Sequence, residues 1–175
     1  MNSINKTPIA IILLALLGTS SSALAGGGRL HLKNPEGGVT SAAGHAFQGA
    51  KAGFANSRLV RSDGAGNVTG ASGAAATTAN GGLVKRQGGF SRNADGTANH
   101  QSSSSASGQQ GSVSSSGNAS KNAEGELTAD RSSQATNAQT GMTANTSTDY
   151  SSDQGITHTT TCTDASGTVV TCPSH

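Results

Sequence analysis

What the chain lacks sets the first bounds on it. Its 175 residues include no Trp, one Tyr and three Phe, with only two Cys, three Pro and 11% charged residues. Of the 150 residues from Gly26 to His175, only 16 are Leu, Ile, Val or Phe. That is well under the roughly 20% below which a packed core becomes doubtful. So few apolar side chains can hardly line an enclosed pocket, and neither an enzyme nor a cofactor is expected. Familiar catalytic patterns are missing as well: there is no Gly-x-Ser-x-Gly elbow, no Walker-type phosphate loop and no His-Glu-x-x-His pair. His31, His45, His100, His158 and His175 are scattered without ligand spacing, and "SDGAGN" (Ser62 to Asn67) lacks the acidic spacing of a calcium loop. No metal site is expected.

The one long apolar run is at the start. "MNSINKTP" carries a single cation, Lys6, and leads into "IAIILLALLG" (Ile9 to Gly18), which is too short to cross a bilayer well. "TSSSALA" follows and ends in the small-x-small pattern Ala23-Leu24-Ala25. Residues 1–25 therefore read as a cleaved export signal, which places the mature chain in the periplasm or outside the cell. No transmembrane segment is expected in the mature chain.

What the chain has is rhythm. Gly81, Gly111 and Gly141 lie 30 residues apart, and Gly66, Gly96, Gly125 and Gly155 form a second series spaced 30, 29 and 30. The strings around them agree, "NADG" at Asn93 matching "NAEG" at Asn122, and Phe90 and Tyr150 hold the same repeat position two periods apart. Each half repeat reads as a turn followed by a strand. An Asx side chain and a glycine able to take positive φ make the turn, and a Thr-, Ser- and Val-rich stretch follows it. Val68, Leu83, Val113, Leu127 and Val169 each fall two residues after such a glycine. The expected fold is mainly β, built of repeated antiparallel hairpins, with substantial disorder as the competing state of so polar a tract.

The segment before the repeats reads differently. "RLHLK" (Arg29 to Lys33) alternates as a strand, and "NPEGG" turns the chain. In "TSAAGHAFQGAKAGFANS", Ala43, Phe47, Ala50 and Phe54 recur at offsets of four, three and four, the spacing of one helix face, so a weak, glycine-interrupted helix is expected there. The organisation becomes an export signal at 1–25, a strand and weak helix at 26–61, hairpin repeats at 62–157 and a disulfide hairpin at 158–175.

Cys162 and Cys172 are an even pair in a chain read as secreted, and are expected to form a disulfide. A turn closed on Asp164 and Gly167 would set Cys162 opposite Val169. Direct pairing of the cysteines needs a centre near Gly167, so the loop is either bulged or displaced. Charge is uneven along the chain: eight Lys or Arg against two acids from Gly26 to Arg92, then two against seven from Asn93 onward. Within the basic half, Lys85, Arg86 and Arg92 around Phe90 form a candidate anion-binding stretch, with the ring available for stacking. The expected role is structural or adhesive, through repetitive β pairing with other copies as an oligomer or fibre. The alternative is a largely disordered binding module whose basic half contacts anionic polysaccharide, lipid headgroups or extracellular DNA.

Overall fold

The computed structural model describes residues 24–173, and over them the chain is all β, one antiparallel sheet of eleven strands with no helix. The strands are β1 (Leu24–Lys33), β2 (Val39–Gln48), β3 (Gly53–Ser62), β4 (Val68–Thr77), β5 (Leu83–Arg92) and β6 (Ala98–Gly108). They continue as β7 (Gly111–Lys121), β8 (Leu127–Asn137), β9 (Thr143–Ser151), β10 (Gly155–Thr163) and the two-residue β11 (Val169–Val170). Spatial order equals chain order, so the chain climbs and descends through consecutive hairpins. Apart from Leu24 and Ala25, which open β1, the expected export signal lies outside the described residues.

The turns explain the rhythm. At Asn34, Thr78, Asn93, Asn122 and Asp164 the residue donates its N–H to the carbonyl four residues on and accepts from the glycine three residues on. That glycine has positive φ each time: Gly37, Gly81, Gly96, Gly125 and Gly167. This is a three-residue hairpin loop, a type I turn closed by a glycine in the left-handed region. A strand of about ten residues plus such a turn advances the chain by about fifteen, as from Asp63 to Thr78 to Asn93. Thirty residues bring it back to the same end of the sheet. All seven glycines of the two series have positive φ, one series at each end. Phe90 and Tyr150 accordingly fall in one cross-strand row, linked through His100, Ala119 and Ala129.

Two expectations need correction. The weak helix is absent, and its residues form β2, a tight turn and β3, with Phe47 directly opposite Phe54. The offset of four between Ala43 and Phe47 fits one strand face as well as one helix face. Three glycines in the stretch weigh against the helix, and the hairpin lets the two rings meet across strands. At the C-terminus, Cys162 opposes Val170, and Thr163 opposes Val169. The three-residue loop shifts the register by one, and the ladder stops at Val170. Cys172 then lies two residues diagonally onward, close enough for the observed Cys162–Cys172 disulfide, with Cα atoms 5.2 Å apart.

Among the described residues no second layer covers the sheet, and each strand packs only against its chain neighbours. Among the described apolar side chains only Cys162 is buried. Cohesion comes from the backbone ladders and from cross-strand pairs such as Thr136 with Thr143 (2.9 Å), Gln134 with Asn145 (2.9 Å) and Ser120 with Thr128 (2.8 Å). Each pair of this kind contributes about 0.2–1 kcal/mol. Among the described residues, the outer edge of β1 and the outer edge of β10 from Gly155 to Thr161, whose inner edge pairs with β9, face no strand.

Candidate functional site

In an antiparallel sheet directly opposed residues share a face, and alternate residues of a strand share it too. Following the register from β1 to β10 therefore sorts every strand side chain onto one of two faces. The sort is strongly uneven. One face carries Arg29, Lys33, Arg58, Arg86, Arg92, Lys121 and Arg131, all exposed, and no acidic residue. It also carries His31, His45, His100 and His158, and all four aromatics of the chain, Phe47, Phe54, Phe90 and Tyr150. The opposite face has Arg61 and Lys85 as its only strand cations and Asp130 and Asp149, directly opposed, as its only strand acids.

The remaining acids are in the turns. Glu36, Asp63, Asp95, Glu124, Glu126 and Asp153 lie in the five turns at one end of the sheet, which contain no Lys or Arg. Those turns also hold one another. Asn67 accepts from the Ala94 N–H (2.9 Å), the Asn34 amide donates to the Ser62 carbonyl (2.7 Å), and Arg61 pairs with Glu36 at 3.4 Å. That exposed pair is the one ion pair among the described residues, and the seven cations of the basic face are outside it.

Of the four candidate anion-binding residues, the structure brings three together. Arg86, Phe90 and Arg92 share the cationic face, while Lys85, one residue from Arg86, projects from the other. Phe90 stands between two depressions. One, of about 230 Å³, is lined by Arg58, Gly70, Arg86, Phe90 and His100 among others. The second, of about 480 Å³, is lined by Val68, Phe90, Arg92, His100, Lys121 and Leu127 among others. Each thus has an aromatic wall and two cations. Arg58, His100 and Lys121 lie far from Phe90 in sequence, and only strand register shows that they meet it.

The opposite face is a carpet of hydroxyls. A shallow groove of about 790 Å³ crosses β4 to β10 over the row Gln87, Ser103, Ser116, Ser132, Ser147 and Thr159, with Lys85 at its side. Within that row the Ser147 hydroxyl donates to the Asp149 carboxylate at 3.0 Å, while the four strand histidines are all on the cationic face. His158 there bonds Thr148 through Nδ1 at 2.9 Å. No group of three or more His, Cys, Asp or Glu among the described residues is placed to hold a metal ion. Nor is any helix among them long and apolar enough to cross a membrane.

No protein-family model matches the chain, and no curated protein or solved structure matches it either.

Proposed function

We propose that the protein is an exported, non-enzymatic structural or adhesive component that extends by β pairing between copies. The observation that carries this reading is the open, single-layer sheet of the described residues, with unpaired backbone along the outer edge of β1 and along the outer edge of β10 from Gly155 to Thr161. Such edges are templates for another chain unless they are covered. β1 and β10 run in opposite directions in the up-and-down order. A copy placed beside another by simple translation therefore offers β1 antiparallel to β10, with the same face upward. That contact is head-to-tail and does not close, so it propagates. The disulfide is consistent with an oxidising compartment and, with the leader-like first 25 residues, supports a periplasmic or extracellular place.

Sedimentation and electron microscopy of the chain from Gly26, at rising concentration and at both low and high salt, test the reading. The expected result is filaments or sheets that persist in salt and diffract at the strand spacing of about 4.8 Å. A monomer at every concentration overturns it.

A further inference from the structure

The edges account for the association of copies and leave the cationic face unused. Two copies stacked by that face would set seven cations against seven, so a second such face is not its partner. Its complement is an anion with many charges spaced along a chain. We infer that this face is a docking surface for single-stranded nucleic acid, centred on Phe90. The inference does not depend on edge pairing, since an isolated sheet would carry the same face.

Charge alone would suit any polyanion, and the arrangement around Phe90 is what narrows the choice. Phe90 is 37% exposed and separates two depressions, so a planar group has a place on either side of it. Arg58 and Arg86 border one depression, Arg92 and Lys121 the other, which puts cations for the backbone phosphates beside each stacking position. Arg92 and Lys121 lie in one cross-strand row two strands apart, about 10 Å by strand spacing. The ring rests over Gly70, and Gly88, in the first depression, adds no side chain to crowd it. Open sheets that bind single strands use this combination of a basic surface and exposed aromatics on which bases stack. Five of the seven cations are Arg, whose planar fork matches phosphate better than an ammonium does.

Lys85 and Arg86 supply the decisive control, being consecutive exposed residues of one strand on opposite faces. The chain from Gly26, with its disulfide intact, is titrated into labelled 20-nucleotide single strands of DNA and of RNA at 0.1 M salt, with circular dichroism confirming the fold of each variant. Arg86→Ser is expected to weaken binding about fivefold, the loss of one phosphate contact at that salt, and Lys85→Ser to leave it unchanged. Phe90→Ala is expected to weaken it about tenfold through lost stacking, with Phe90→Tyr restoring most of it. Equal losses from Arg86→Ser and Lys85→Ser would mean that binding follows net charge and would overturn the proposal. So would an unchanged affinity in Phe90→Ala, or binding of heparin or of anionic lipid vesicles that is tighter than the oligonucleotide's and equally dependent on Phe90.

Discussion

Phe90 lies across Gly70, the residue directly opposite it on the neighbouring strand, so closely that a Cβ built on Gly70 would overlap the ring. The glycine thus leaves the ring a seat on the sheet, and an aromatic covers backbone that a bare glycine would leave open to water. Gly70 is not in the left-handed region, so alanine there is barred by the ring rather than by the backbone.

A double-mutant cycle separates those two causes. Gly70→Ala alone is expected to lower stability, because Phe90 must leave its position. In a Phe90→Ala background the same change should stabilise by about 0.5–1 kcal/mol, the ordinary gain of Ala over Gly inside a strand. Thermal melts of the four proteins read the sign directly. Additive effects would mean that ring and glycine are not coupled.

The disulfide holds the end of the sheet that has least else to hold it. β11 offers only two paired residues, and the Cys162–Cys172 bond closes 11 residues at that place. Closing such a loop constrains the unfolded chain by about 2.5–3 kcal/mol in the entropy model. Cys162→Ser with Cys172→Ser, or reduction, should raise hydrogen exchange from Asp164 to residue 172 first and leave β4 to β8 protected. Loss of protection that begins elsewhere would refute the capping role.

The fold was legible where its chemistry is local. An Asx or Thr residue followed three positions later by glycine closes the turns at Asn34, Thr78, Asn93, Asn122 and Asp164, so the period could be read from glycine spacing, and its physical unit is the fifteen-residue hairpin step. The helix over Phe47 and Phe54 was misread because a spacing of four fits both periodicities. The cationic face was not legible, because it depends on register across ten strands. Lys85 and Arg86 look like one basic cluster in sequence and point to opposite sides. The charge imbalance between halves of the chain concealed a sharper division between faces and turns.

Gly96 and Gly28 distinguish conformational need from mere smallness. A Cβ at either would meet nothing within 4 Å, yet Gly96 has φ of +89° and Gly28 is an ordinary strand residue. Gly96→Ala should therefore cost about 1–2 kcal/mol, the penalty of a left-handed residue with a side chain. Gly28→Ala should be neutral or slightly stabilising. Urea denaturation measures both, and equal effects would show that the turn at Asn93 does not need its left-handed residue.

Acid should loosen the turns through three aspartates. Asp63 accepts from the Asn67 side chain and the Ala65 N–H, and Asp95 from the Thr97 hydroxyl and N–H. Asp164 accepts from the Ser166 hydroxyl and the Thr168 N–H. These bonds favour the charged form and hold each carboxyl below the usual aspartate range. A lowered folded pKa means that the stabilisation is complete above the unfolded value of about 3.9 and is lost as pH falls through the lower folded one. Melting temperature should then hold from neutral pH to about 5 and drop in stronger acid. Asparagine already fills the first turn position at Asn34, Asn93 and Asn122, so Asp63→Asn with Asp164→Asn keeps the acceptor and removes the titration. That double variant, with Asp95→Asn added, should melt near the parent temperature at pH 7 and lose less on acidification. An identical acid loss in the triple variant would place the sensitivity outside these turns.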